Sequence, residues 1–122
     1  MFEERYRWHK FFDSEEDLKE RVPLNKVAGF NVAGHRVCVA HSPKGIKAVK
    51  DKCPHQGVAL SGGKCTDSGM IVCPWHHYQF DLETGRGAGT YVEVYPMEER
   101  DDGLYIGFPY MAFTLFERFK SK

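Results

Sequence analysis

The sequence lacks net charge, long apolar runs and internal repeats, and each absence narrows what the protein can be. Its 122 residues carry 17 Lys and Arg against 17 Asp and Glu, a balance that argues against a dedicated nucleic-acid-binding protein. No window approaches the roughly 18 apolar residues that a membrane span requires. The first residues, MFEERYRWHK, are charged and contain no apolar run of signal-peptide length. We therefore expect one soluble domain over residues 1–122.

Cysteine is also scarce, and although the four cysteines could form two disulfides, their neighbouring residues indicate a different use. Two of them, Cys53 and Cys73, are each followed by a proline and then by a histidine within three residues. Cysteine beside histidine in this way indicates metal ligation in an intracellular protein. The cysteine usage therefore predicts a cytoplasmic location.

Short apolar or alternating runs recur between turn signals and predict an all-β fold. The predicted strands are Trp8–Phe12, Lys26–Val32, His35–Ala40, Gly45–Val49, Met70–Cys73, Tyr78–Asp81, Glu93–Glu99 and Leu104–Phe108. The sequence Asp101-Asp102-Gly103 predicts a tight hairpin. Glu15–Arg21 is predicted to form one or two helical turns, with Ser14 as the N-cap.

The C-terminal segment, residues 110–122, contains an apolar stretch, Tyr110–Phe119. Its spacing fits a helix and a strand equally well. We expect this stretch to pack back onto the domain. A self-association or partner patch, or a segment lying at a membrane surface, is the alternative.

Two thiols and two imidazoles dominate the chemistry of the sequence. They form the pairs Cys53-x-His55 and Cys73-x-x-His76, with seventeen residues between them. A tetrahedral zinc ion uses this donor set. So does a [2Fe–2S] cluster that takes two cysteines on one iron and two histidines on the other. Because each pair contributes one donor of each type, the order favours a dinuclear cluster.

The motifs C-P-H-Q-G and C-P-W-H resemble the Rieske signature, and the likeness covers about residues 26–108. The runs VALSGG, YQFDLETG and DDGLYIGF are also similar to that family. The resemblance implies a Rieske-type antiparallel β-sandwich with a small cluster-binding subdomain of two loops, within about residues 50–82. It implies that Cys53 and Cys73 hold the inner iron of one [2Fe-2S] cluster, and that His55 and His76 hold the outer iron at the surface.

The sequence departs from the high-potential Rieske proteins of respiratory complexes. Those proteins carry a disulfide between the cluster loops, and the matching positions here are Val58 and Trp75. They also carry a serine and a tyrosine that hydrogen-bond the cluster, where this chain has Tyr78 and Phe80. Fewer hydrogen bonds to the cluster predict a reduction potential near the low end of the Rieske range, about −150 mV. The chain therefore resembles the ferredoxins of oxygenase systems.

The remaining candidate residues have plainer interpretations. Cys38 is predicted to be a buried apolar residue, and Cys65 a free thiol in a loop. His77 is expected to be a solvated neighbour of the second motif, and Trp75 to pack beside the loops. The other histidines are expected at the surface, namely His9, His35 and His41.

The resemblance implies an electron-transfer component and not a stand-alone catalyst. As a ferredoxin, the chain would accept electrons from a flavin-dependent reductase and pass them to a terminal oxygenase or a similar acceptor. The alternatives are a Rieske domain or small subunit of an oxygenase or of a nitrite reductase. A zinc-stapled interaction module without a redox role is the alternative from another class.

Overall fold

The computed structural model describes residues 2–113, and these form a fold built almost entirely of antiparallel strands. The strands are β1 (Phe2–Phe12), β2 (Val27–Val32), β3 (His35–Ser42), β4 (Gly45–Lys50), β5 (Lys64–Cys65), β6 (Met70–Val72), β7 (Gln79–Asp81), β8 (Arg86–Gly87), β9 (Thr90–Tyr91), β10 (Val94–Tyr95), β11 (Met97–Arg100) and β12 (Gly103–Phe113). One α-helix, α1 (Glu15–Arg21), and one 3-10 helix (Leu60–Gly62) accompany them. The all-β prediction is confirmed.

The central sheet has four strands in the order β10-β4-β3-β2, and both of its faces are covered. Strand β3 shows this most clearly, because four consecutive residues, Val37 to Ala40, are fully buried. Side chains alternate between the two faces of a strand. Val37 and Val39 therefore enter one hydrophobic core, while Cys38 and Ala40 enter a second.

The first core lies between the central sheet and a three-stranded sheet in the order β1-β12-β11. Leu104, Ile106 and Phe108 extend from β12 into this core, and Leu18 of α1 adds to it. Strands β1 and β12 pair from Phe2↔Phe113 to Phe12↔Leu104, with one register shift between Lys10 and Phe12. This half of the protein serves as the scaffold, since it contains neither Cys-His motif.

The second core joins the central sheet to a small sheet in the order β5-β6-β7. Its members include both motif cysteines and the apolar residues around them: Cys38, Ala40, Val49, Cys53, Leu60, Ile71, Cys73, Phe80, Leu82 and Val92. The two motifs thus lie in loops that leave a common hydrophobic core. That placement matches the predicted cluster-binding subdomain of two loops.

Helix α1 and the hairpin between β11 and β12 form where the sequence predicts them. The Ser14 side chain accepts a hydrogen bond from the Asp17 amide at 3.1 Å, as an N-cap does. Strands β11 and β12 meet through the pair Arg100↔Gly103, which leaves Asp101 and Asp102 as the two turn residues. Both predictions are confirmed.

Strand boundaries differ from the predicted ones where pairing or proline decides them. The predicted strand Glu93–Glu99 is divided at Pro96 into β10 and β11, which join different sheets. Proline cannot donate a ladder hydrogen bond, so a strand ends or changes partner there. The two-residue strands β5, β8 and β9 were not predicted, because two residues are too few to show a period.

The first four residues of the C-terminal stretch pack back onto the domain, as predicted. Tyr110–Phe113 belong to β12 and pair with Phe2–Arg5 of β1. The rest of Tyr110–Phe119, and the chain to residue 122, lie outside the described residues. Between residues 2 and 113, no helix has the length and apolar character needed to cross a membrane.

Candidate metal centre

The first motif lies in a loop that is closed at its base by backbone hydrogen bonds. The Cys53 amide donates to the Val58 carbonyl, and the Gly57 amide donates to the Cys53 carbonyl, both at 2.8 Å. The φ angle of Gly57 is +73°, a left-handed conformation that favours glycine. The loop therefore holds Cys53 at a buried base and carries His55 to its exposed tip.

The second motif repeats this arrangement. The Cys73 amide donates to the Tyr78 carbonyl at 2.8 Å, which closes the loop. His76 and His77 both adopt left-handed φ angles, of 60° and 58°. Two consecutive left-handed residues turn the chain sharply, and both histidines are exposed. Again the cysteine is at the buried base and the histidine at the tip.

The two thiols face each other inside the second core. Cys53 and Cys73 are fully buried. Burial raises the pKa of the Cys73 thiol, the backbone N–H of Trp75 opposes this by donating to its sulfur, and a hydrogen bond with Cys53 raises the pKa further. A bound metal would reverse this balance, because thiolate is the form that ligates. The thiols are thus a pre-formed pair, shielded from water.

The two imidazoles both lie near the ring of Tyr78, which follows the second motif. The centroid of the Tyr78 ring is 4.7 Å from that of His55 and 6.4 Å from that of His76. The candidate donors are therefore a buried thiol pair and an exposed imidazole pair.

One imidazole has its tautomer fixed by the structure. The Nε2 atom of His55 lies 2.7 Å from the carbonyl oxygen of Ala88, in the turn between β8 and β9. A carbonyl can only accept, so this nitrogen carries the proton. Nδ1 is then left with the lone pair that a metal requires. Ala88 was not predicted as part of the site, although the glycine-rich run Arg86-Gly87-Ala88-Gly89 is a turn signal.

The donor chemistry fits a dinuclear cluster. Two thiols and two imidazoles, arranged as separate pairs, are the ligands of a [2Fe–2S] cluster with cysteine on one iron and histidine on the other. The His55 ring presents the nitrogen suited to ligation.

Comparison with known proteins agrees with this arrangement. Residues 11–95 match the family described as the Rieske [2Fe-2S] domain. The chain belongs to the Rieske [2Fe-2S] domain family. The Rieske domain implies one [2Fe-2S] cluster.

A ferredoxin component is among the proteins similar in sequence to this chain. The ferredoxin component of the alkene monooxygenase system of Xanthobacter autotrophicus is 31% identical over 81 residues, covering 64% of this chain and 66% of the relative. The match thus spans just under two thirds of that protein.

Two solved structures share the fold. One, from the complex of reduced oxygenase and oxidized ferredoxin in carbazole 1,9a-dioxygenase, has a TM-score of 0.65 at 22% identity, covering 81% of this chain and 91% of that chain. The other, a putative NADH-dependent nitrite reductase small subunit from Mycobacterium tuberculosis, has a TM-score of 0.67 at 20% identity, covering 85% and 96%.

Two expectations about side chains in this Rieske domain were wrong. Trp75 does not pack beside the loops, since 57% of its surface is exposed. Cys65 is a free thiol as predicted, but it lies in β5 and not in a loop, and its sulfur is 3.7 Å from the His41 carbonyl oxygen. Cys38 is fully buried and His77 is exposed, as predicted.

The three histidines expected at the surface have individual contacts. The His35 ring is exposed and stacks on Phe108 at 3.9 Å. His41 is half-buried, and its Nδ1 lies 2.9 Å from the Val22 carbonyl oxygen. His9 is also half-buried. His35 therefore lies fully at the surface as predicted, whereas His9 and His41 reach it only in part.

The first cluster loop is anchored by a buried carboxylate that the sequence did not single out. Asp51, whose side chain is fully buried, accepts hydrogen bonds from the Ser61 amide and hydroxyl, both at 2.7 Å, and from Arg36 Nε at 3.1 Å. Asp51 precedes Cys53 by two residues, Ser61 lies in the 3-10 helix, and Arg36 in β3. This network therefore fixes the base of the loop to the central sheet.

Thiol reactivity should separate the two cysteines outside the motifs. Burial raises the pKa of both the Cys38 and the Cys65 thiols, so less thiolate forms at any given pH. Cys65 is half-buried, whereas Cys38 is fully buried. In iron-loaded protein at pH 8, we expect iodoacetamide to label Cys65 slowly and Cys38 at least about tenfold more slowly. Peptide mass spectrometry measures both.

The Cys65→Ser variant is the control for this labelling, because it should remove the labelled peptide and leave the cluster intact. Denaturation with chelator should expose all four cysteines to the reagent. Equal labelling of Cys38 and Cys65 in the folded protein would contradict the burial that the structure assigns to Cys38.

Proposed function

We propose that this chain is a one-electron carrier in which Cys53 and Cys73 hold one iron of the [2Fe-2S] cluster and His55 and His76 hold the other. The observation that carries this proposal is the pairing of buried thiols with exposed imidazoles on two loops. When bound, the cluster would supply a centre that gains or loses one electron without breaking or forming a covalent bond. Electron transfer, and not stand-alone catalysis, is the activity that such a site supports.

Each part of the site has a separate task. The second core keeps water from the thiols, and the Trp75 amide donates to the Cys73 sulfur. Such donors stabilise the more negative reduced state. Pro54 and Pro74, directly after the cysteines, restrict φ and stiffen both loops in either redox state. The exposed imidazoles bring one side of the site to the protein surface.

The proposed partners are a flavin-dependent reductase as electron donor and a terminal oxygenase as acceptor, in the cytoplasm. The names of the similar proteins support this, since one is the ferredoxin component of a monooxygenase system. We propose that residues 1–122 act as one unit.

A second candidate is a small subunit of a nitrite reductase, favoured by the fold likeness to such a protein. The alternative of a domain within an oxygenase would require partner domains on the same polypeptide. Both would use the same cluster, so they differ from the first proposal in the acceptor alone.

Metal analysis and EPR spectroscopy test the cluster itself. Purified protein should contain iron and acid-labile sulfide in equal amounts, and a dithionite-reduced sample should give a Rieske-type EPR signal with a potential of about −150 mV. Cys73→Ala should lose most of the iron, because three remaining ligands cannot hold the cluster. Cys65→Ala, which alters a cysteine outside both motifs, is the matched control. Colourless protein with one zinc ion would overturn the proposal.

A further inference from the structure

We propose that one face of the ribbon formed by β1 and β12 is a self-association surface, on which a second copy of this chain docks with its strands reversed. The inference concerns the scaffold half of the protein and does not depend on the proposed electron-carrier function. It assigns a partner to a surface that the cluster chemistry leaves unused.

The pairing of the two strands defines this face. Leu104, Ile106 and Phe108 of β12 enter the first core, so the odd-numbered residues from Tyr105 to Phe113 point away from it. Residues directly opposite each other in an antiparallel pair share one side of the sheet. The partners in β1 are the even-numbered residues from 2 to 10. We call these two sets together the outer face.

The outer face carries a continuous patch of exposed apolar side chains. Between residues 2 and 113 seven large hydrophobic side chains are exposed, and four of them lie on this face: Phe2 (65%), Tyr6 (39%), Met111 (60%) and Phe113 (48%). The rings of Phe2 and Phe113 lie 5.3 Å apart, and the Tyr6 ring lies 6.0 Å from that of Trp8. Together these side chains expose about 400 Å² per copy. A patch of that size on a folded chain is typical of a binding surface.

The outer half of the ribbon lacks a third strand. Strand β11 pairs with β12 from Gly103 to Ile106, whereas β1 pairs with it as far as Phe113. Among the described strands, the ribbon beyond Ile106 is therefore two strands wide. Two paired strands are only marginally stable in water unless they pack against another element. A second copy laid on the outer face supplies that packing.

The charges on the outer face favour a second copy over a lipid surface. Glu4 lies within the apolar patch and accepts a hydrogen bond from the Tyr6 hydroxyl at 3.2 Å. At the other end of the face, the Arg100 guanidinium lies over the rings of Trp8 and Tyr105, at 5.3 and 4.4 Å from their centroids. A carboxylate in the patch opposes contact with anionic headgroups. The same face, however, contains the cation that complements it.

A two-fold axis that crosses the strands at Tyr6 brings these opposite charges together. It stacks Glu4 of each copy on the Trp8 end of the other, beside Arg100, and forms both contacts at once. Glu98 accepts from Nε of Arg100 at 2.7 Å, and the other guanidinium nitrogens can donate to a second carboxylate. An axis parallel to the strands would instead place the two Glu4 side chains at the same level, where like charges repel.

Docking on the outer face leaves the metal centre free. The first core lies between this ribbon and the central sheet, and the second core, with both Cys-His motifs, lies on the opposite side of the central sheet. The two cluster sites of the dimer therefore point in opposite directions.

Sedimentation velocity of the iron-loaded protein tests the association. Because the patch is at the low end of interface sizes, we expect a weak dimer with a dissociation constant of about 10–100 μM. Met111→Lys should raise this constant at least about tenfold, since it places a charge inside the interface. Leu24→Lys alters an apolar residue of similar exposure, 52%, outside the outer face. This matched control should change the constant less than about twofold.

Exchange of the two charges tests the reversed arrangement. Glu4→Arg and Arg100→Glu should each raise the dissociation constant about tenfold, and the double variant should return to within about threefold of the parent. Visible absorption and urea unfolding check that each variant is folded and iron-loaded. Recovery in the double variant requires that the two positions meet across the interface.

A protein that remains monomeric at about 500 μM, well above the expected constant, would overturn the proposal. So would a dimer that Met111→Lys leaves unchanged. A dimer weakened by Met111→Lys but not restored by the charge exchange would overturn the reversed arrangement. Binding to phosphatidylcholine–phosphatidylglycerol vesicles without any dimer would assign the face to lipid and also overturn it. None of these results bears on the electron-carrier proposal, which instead fails if the protein holds no iron–sulfur cluster.

Discussion

Gly63→Ala is expected to destabilise the protein by about 3–5 kcal/mol and to remove most of its iron. A Cβ at this position would overlap the carbonyl oxygen of Val72, a backbone atom that cannot rotate away. Val72 pairs with Lys64 in the small sheet and directly precedes Cys73. Relief of the overlap must therefore separate β5 from β6 and displace the base of the second cluster loop.

Gly62→Ala provides the matched control, one residue earlier in the chain. Its Cβ would lie 3.8 Å from Pro74 Cγ, an ordinary contact. Urea unfolding and iron content measure the two variants side by side. We expect Gly62→Ala to stay within about 1 kcal/mol of the parent with full iron. A Gly63→Ala protein as stable and as iron-loaded as Gly62→Ala would show that β5 and β6 do not approach so closely.

Asp51→Ala has the second-largest expected effect, a loss of about 2–3 kcal/mol with faster release of iron. The carboxylate accepts three hydrogen bonds, and its removal leaves the half-buried Ser61 amide without this acceptor. An unsatisfied buried donor costs about 1–3 kcal/mol. The Arg36 side chain is 50% exposed, so most of the loss comes from the bonds to Ser61 and not from the ion pair.

Two further variants separate the contributions. Ser61→Ala removes the hydroxyl but keeps the amide and the carboxylate, so we expect a loss of only about 1 kcal/mol. Asp51→Asn keeps the shape and one acceptor, and should fall between Ser61→Ala and Asp51→Ala. The free energy of unfolding and the half-life of the visible absorption in the presence of a chelator are the measurements. If Asp51→Ala matched Ser61→Ala, the network would not anchor the loop.

Local rules predicted the parts of the fold that short stretches of chain control. The Ser14 cap and the Asp101-Asp102 hairpin need contacts only between near neighbours, and both are present. The short apolar run Val37–Ala40 in β3 likewise predicted a strand, and Cys38 was correctly expected to be buried. These features are encoded within a few residues, so no knowledge of the tertiary structure was needed.

Errors arose where a turn or a strand pairing, and not the residue type, decides the environment of a side chain. Trp75 was expected to pack, but the left-handed turn at His76 and His77 places it outward. Cys65 was expected in a loop, but pairing of β5 with β6 makes it part of a strand. Neither outcome leaves a periodic or compositional trace in the neighbouring residues.

The sequence by itself determined the family and the all-β class, and it predicted the proposed donors, since two Cys-His pairs at this spacing leave few chemistries open. Tertiary structure alone decided which donors are buried and which are exposed. It also placed Ala88 against His55, thirty-three residues away, and Asp51 beneath the first loop. The physical reason is that a metal ligand is chosen by its side chain, whereas its surroundings come from segments that meet only when the sheets have packed.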